Sequence, residues 1–368
     1  MLKYFCLAPK ELDLADNSIK IGFDTRLKLK YKKLGLNKIF TTDINMWSNK
    51  MATEKLFRNA LFSPNIVSFE KLKINESSKE IYFLESNFII SENLVFPHGY
   101  TIIGQPGLQI TFANNAKLVS YSPLYFIGEE QSPIIVKMKG QSESSISLIN
   151  TTEKSTFSNV HFIGSSEPYN SSTGFSGYFN TYESDIDIYK CLFENNGEED
   201  FLNLIRSNFN ISFTNFINAN SDAIDSDFSS GFIKNCTFFN SGNDAIDISG
   251  TDLMIQDIFI DNARDKGISI GEKSSLIGQS IEIKNSNIGL ACKDLSKSKL
   301  TEVNISHSTV GIACYQKKPE FGPARIEVDN SKLTNLVHPF YLDDESKIIY
   351  NSESINIIDV TKIQKFFK

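Results

Sequence analysis

The chain has 368 residues, 40% hydrophobic and 22% charged, with a formal net charge of −7. This composition supports a packed core and excludes a chain disordered throughout; the negative balance argues against nucleic acid as the main partner. Five cysteines without a CxxC pair or a Cys/His cluster make neither a disulfide framework nor a zinc site. Charge is uneven: residues 1–50 hold ten Lys/Arg against five Asp/Glu, and residues 191–265 hold three against thirteen. An acidic patch is therefore expected on the middle of the molecule.

In chain order, the opening MLKYFCLAPKELDLAD has too short an apolar stretch, too soon followed by acids, for a secretion signal. No run is apolar and long enough for a transmembrane helix. Residues 1–75 keep to no repeat. They mix strand-like text (SIKIGFDTRLKLKYKKLGL) with a helix-like stretch (ATEKLFRNALF), and are read as a small N-terminal module. Such a module would cover the open edge of the first repeating coil, or be the remnant of an upstream domain.

Residues 76–368 read as one solenoid, with regular coils over 184–316 and terminal coils and a cap over 317–368. Three columns recur at 22 residues: Asn196, Asn218, Asn240 and Asn262; Ile211, Ile233, Ile255 and Ile277; and Leu202, Ile224, Ile246, Ile268, Leu290 and Ile312. Each coil carries short runs of alternating apolar residues, such as Phe232–Cys236, punctuated by Asn, Gly, Ser and Asp. No amphipathic helix fits in a coil, which disfavours leucine-rich, ankyrin and TPR repeats. The fold class is therefore all-β, a right-handed parallel β-helix whose coils stack ~4.8 Å apart, with the asparagines as a ladder at a sharp turn. Cys292 and Cys314 share a column and are read as buried free thiols. Lys317–Pro323 breaks the register and predicts a loop, and the tail TKIQKFFK caps the last coil or stays loose.

This pattern resembles the pectate-lyase-like right-handed β-helix superfamily from about residue 80 onward, with FIISENLVFPHGYTIIGQPGLQITF (88–112) like its first coils and QSPIIV (131–136) like its next strand entry. A narrower likeness, carried by SDAIDSDFSSGFIKNCTFFNSGNDAIDISG, DKGISIGEKSS, ACKDLSK and YQKKPEFGPA, is to β-helix segments of bacterial CotH-associated surface proteins. The resemblance implies an extracellular or cell-surface setting, with association with a larger surface protein as one form of it.

The chemistry-bearing text is the pair of copies DAIDSD and DAIDIS. Side chains alternate along a strand, so with Ile224, Ser226, Ile246 and Ile248 pointing in, Asp225, Asp227 and Asp247 point out. Asp225 and Asp247 share a column, ~4.8 Å apart, and Asp227 lies ~7 Å along the strand from Asp225. Asp200, Asp222 and Asp244 form a second column, and Asn203 and Ser269 flank the first. Like charges this close are tolerated if a proton is shared, a cation binds, or a basic side chain intervenes. Proton sharing is the equipment of a glycoside hydrolase. A Ca²⁺ ion held by Asp225, Asp227 and Asp247 is the second escape; the superfamily resemblance implies calcium-assisted lyases of acidic sugars, with Lys266, Lys293 or Arg206 as base. The catalytic candidates are thus Asp225, Asp227, Asp247, Lys266 and Arg206. Asn203, Asp222, Asp244, Glu272 and Lys293 are the candidates for substrate contact. In the third escape Arg206 and Lys266 merely neutralise a structural row, since Asp at strand–turn junctions often caps backbone N–H groups. Tyr178, Phe179, Tyr182 and Tyr189 are packing residues or the lining of a sugar groove.

Two functions are compatible with these residues. One is an enzyme acting on a polysaccharide or cell-surface glycan through the acidic face, by lyase, epimerase or hydrolase chemistry, with no required cofactor beyond the calcium alternative. The other is a non-catalytic, adhesin-like β-helix in a surface assembly.

Overall fold

A computed structural model describes residues 27–32, 38–44, 63–138, 144–164 and 176–356. The helix-like stretch at 52–62 and the basic tail at 361–368 lie outside these residues. The chain divides into two units, Met1–Met51 and Ala52–Lys368. In the first, Leu27–Lys32 pairs antiparallel with Ile39–Ile44.

The second unit is a parallel β-helix. Each regular coil contributes one strand to an 11-stranded sheet and one long or two short strands to a 21-stranded sheet. In one coil these are Asp222–Asp227 and Ser230–Ser241. The predicted inward column is continuous, from Leu202 through Ile224, Ile246, Ile268 and Leu290 to Ile312. The next step, to Phe340, takes 28 residues because a loop lies between Tyr315 and Ala324, where Lys317–Pro323 had broken the register.

Packing explains why the repeat holds. Phe162, Phe193, Phe216 and Phe238 stack face to face through the interior, with centroids 4.6, 4.8 and 5.0 Å apart. At one corner a ladder of hydroxyls runs along the axis. The backbone N–H groups of Ser184, Ser207, Ser229, Thr251 and Ser274 donate to the hydroxyls of Ser207, Ser229, Thr251, Ser274 and Ser296 in turn. Each buried donor at this corner is thus satisfied by the next coil.

Two columns depart from a strict 22-residue step. The amide row begins at Asn195: Asn218 donates to it at 2.9 Å, Asn240 to Asn218 and Asn262 to Asn240. The first step is 23 residues, so Asn196 falls outside the row and instead brackets Glu198 through its main chain. Ile277 also leaves its column. It pairs with Met254 and is 57% exposed, while Gly278 takes the place beside Ile255. The cause is one extra residue in the Gly271–Ser274 turn, where Glu272 and Lys273 both have positive φ.

At each end of the solenoid the 21-stranded sheet takes up one short antiparallel strand. Leu72–Asn75 pairs with Glu80–Phe83, and Glu353–Ser354 pairs with Lys347–Tyr350. Asn65 also bonds the strand Leu94–Phe96, accepting from Val95 N and donating to Asn93 O. Cys292 and Cys314 lie side by side, buried and free.

Candidate active site

The two DAID copies lie in the 11-stranded sheet, on strands Asp222–Asp227 and Ile246–Ser249. Ile224, Ser226, Ile246 and Ile248 are fully buried, so Asp225, Asp227 and Asp247 face outward, half-buried. Asp225 pairs in register with Asp247, Asn203 precedes them and Ser269 comes next. Oδ1 of Asp247 and Oγ of Ser269 are buried with no hydrogen-bond partner among the described residues.

The second column runs Asp200, Asp222, Asp244, Lys266, and it is buried throughout. Its side chains act as clamps between coils. Asp222 Oδ1 accepts from Asp244 N and from Asn243 Nδ2, both at 2.7 Å. Asp244 Oδ1 accepts from Lys266 N at 2.9 Å and from Lys266 Nζ at 3.4 Å. Lys266 also bonds Asp265, and its side chain is only 8% exposed. Asp200 accepts from Ser176 Oγ at 2.6 Å and from Asn203 Nδ2 at 3.3 Å.

Crowding sets the electrostatics of this face. Burial first, then Asp222, push the Asp200 carboxyl up to about 8. Burial and Asp247 push Asp222 up to about 7. Burial and Asp247 push Asp244 up to about 8, although Lys266 pulls the other way. Asp225 is held well above the usual carboxylate value by burial, and then by Asp200, Asp227 and Asp247. For Lys266, burial favours the neutral form, but Asp244 and Asp265 outweigh it and hold the ammonium above its ordinary value. The face therefore keeps protons on several carboxyls near neutral pH beside the buried Lys266 ammonium.

The other predicted residues lie further out. The guanidinium of Arg206 bonds Tyr182 Oη at 3.0 Å and Glu183 at 3.4 Å, while its backbone N–H donates to Asp227 O at 2.9 Å. Glu272 accepts from Ser249 Oγ and Lys318 Nζ. Burial pushes its carboxyl up, but these two bonds prevail and hold it below the ordinary range. Lys293 is buried beside Gly271. Tyr178 and Phe179 are fully buried packing residues, whereas Tyr189 is 41% exposed and meets Phe213 edge-on. Among the described residues, no group of three or more His, Cys, Asp or Glu side chains is arranged to hold a metal ion; the expected Asp225, Asp227 and Asp247 set is not such a group. Sequence reading missed Asp265 and Lys318 as partners. Asp265 was legible as the neighbour of Lys266, while Lys318 arrives from the inserted loop and left no periodic signal.

Comparison with protein families finds no match, and comparison with curated proteins finds none. Among solved structures, the chain is similar to the catalytic domain of a GH87 α-1,3-glucanase in complex with nigerose. The identity is 13% and the TM-score 0.36, over 73% of this chain and 64% of that one. The same catalytic domain in complex with tetrasaccharides matches at 13% identity and TM-score 0.38, over 68% and 63%. Tailspike protein 3 of bacteriophage CBA120 matches at 11% identity and TM-score 0.26, over 90% and 66%. The chain thus spans a little under two thirds of the glucanase domains. None of these likenesses bears on residues or chemistry.

Proposed function

We propose that the protein hydrolyses a neutral polysaccharide on the outward face of the 11-stranded sheet. The observation that carries this reading is the in-register pair Asp225 and Asp247, outward and half-buried, with Asp225 held above its usual protonation range. Glycoside hydrolysis needs one carboxyl to protonate the leaving oxygen and one carboxylate to act as base or nucleophile. Asp225 suits the first role. Asp247, whose Oδ1 has no protein partner among the described residues, suits the second.

Asp222 and Asp244 bind backbone in the next coil, so they support the face rather than contact substrate. Lys266 has the same place: it is fixed between Asp244 and Asp265 and holds the column's end charge. A neutral substrate suits a face whose carboxyls largely keep their protons, since it brings no charge that needs a partner there. The experiment is release of reducing ends from soluble neutral glucans by wild type and by Asp247→Asn. Turnover that the variant lacks supports the reading, and equal turnover removes Asp247 from the mechanism. Calcium-assisted elimination is the competing chemistry; it would instead yield an unsaturated product from a polyuronate, only with calcium present.

A further inference from the structure

A second feature lies away from the aspartates, on the 21-stranded sheet. A kink recurs coil after coil along this sheet, at Asn235, Asp257, Ser280, Glu302 and Asn330, all with positive φ. Because the kinks are stacked, they form a trough parallel to the solenoid axis, with a volume of about 710 Å³. The column two residues further on, Thr237, Phe259, Glu282, Asn304 and Lys332, is in register and forms the trough's wall. Four steps between five coils give a length of roughly 19 Å.

The chemistry of the trough is specific. Phe259 pairs with Phe239 at its rim, with ring centroids 5.5 Å apart, and Lys284 caps the Phe259 ring at 5.2 Å. Phe239 is 36% exposed. Aromatic faces offer an apolar surface with a wet edge, and the amides and hydroxyls around them donate and accept in both directions. Glu302 accepts from Ser280 Oγ at 2.8 Å and from Gln279 Nε2 at 3.3 Å, which hold its carboxyl below the usual range and therefore charged. Asp257, Glu282 and Glu302 outnumber the two lysines beside them, Lys332 and Lys284, the latter paired with Glu282. This balance repels phosphate- or uronate-bearing chains.

We propose that this trough is a second, non-catalytic binding groove for an extended neutral glycan chain, holding the polymer while the aspartate face acts on it. The groove has its own geometry and does not require turnover at Asp225 and Asp247. Its test is native gel electrophoresis in gels containing laminarin, dextran, pullulan or polygalacturonate. Wild type and Asp247→Asn are expected to be retarded alike by at least one neutral glucan. Phe259→Ala and the exposed Asn304→Ala, each shown by its unchanged thermal midpoint to be folded, are expected to lose that retardation. Retardation that persists in both groove variants, retardation by polygalacturonate alone, or none in any neutral glucan overturns the proposal. Retardation without sugar release by any form would leave the groove standing and sink the hydrolase reading instead.

Discussion

Asp247 lies in register beside Asp225, one coil further on, with its Oδ1 buried and unpartnered among the described residues. Two carboxyls at strand spacing, ~4.8 Å, repel when both are ionised. The double variant Asp225→Asn/Asp247→Asn removes that repulsion while keeping shape. Because Asp225 is held above its usual protonation range, the double variant is expected to unfold at a higher temperature than wild type, by a margin that widens as pH rises. Millimolar calcium is expected to leave both midpoints unchanged. A calcium-dependent rise confined to wild type would overturn this, since a ligand at ~100 times its dissociation constant adds about 2.7 kcal/mol.

The same crowding sets a pH dependence. Asp200 and Asp244 titrate at about 8 and Asp222 at about 7 in the folded protein, against 3.8 ordinarily. The folded state therefore binds more protons than the unfolded chain between roughly pH 4 and 8. Stability is greatest at the acid end of that window and falls as pH rises through it. Thermal midpoints should thus decline from about pH 5 to about pH 8. A midpoint that rises across this range would show that these three groups ionise freely in the fold.

Lys266 carries a different load. Its ammonium is buried between Asp244 and Asp265, and its backbone N–H also bonds Asp244. Replacing it with methionine keeps the stem and removes the charge. Deleting one partner of a buried pair costs about 3–5 kcal/mol. The thermal midpoint of Lys266→Met should fall accordingly at about pH 9, where Asp244 is ionised. The loss should shrink at about pH 6, where Asp244 keeps its proton and no longer needs a cation. A pH-independent loss would mean that packing, not charge, is what Lys266 supplies.

Much of the fold was legible in the sequence, for physical reasons. Leu202 through Ile312 kept one spacing because inward side chains in a stacked coil have no room to slip. Asp225 and Asp247 could be placed together because they ride on that column. The amide row was misread at Asn196, and Ile277 was put in the column of Ile255, because a turn can take one extra residue without disturbing the strands on either side. Glu272 and Lys273 show this directly: both adopt positive φ to fit the longer turn. The partners of Lys266 and Glu272 depend on side-chain reach and on a loop outside the repeat, which periodicity does not encode. The hydroxyl ladder was missed because its members are serines and a threonine, residues common in every turn of this chain.

The hydroxyl ladder is itself open to test. Thr251 Oγ1 accepts from Ser229 N at 3.1 Å and donates to Ser226 O at 2.9 Å, in a fully buried corner directly after the aspartate strand. Thr251→Val keeps the branched shape and removes both interactions. Ser229 N is then left buried without an acceptor, which costs about 1–3 kcal/mol. Thr251→Ser restores the hydroxyl and should recover most of that loss. Hydrogen exchange at the Ser229 amide locates the effect: it should accelerate in the valine variant and stay near wild type in the serine variant. Equal protection in both would mean that main-chain pairing alone fixes this corner, and that the hydroxyl column is incidental to how the aspartate strands are held in register.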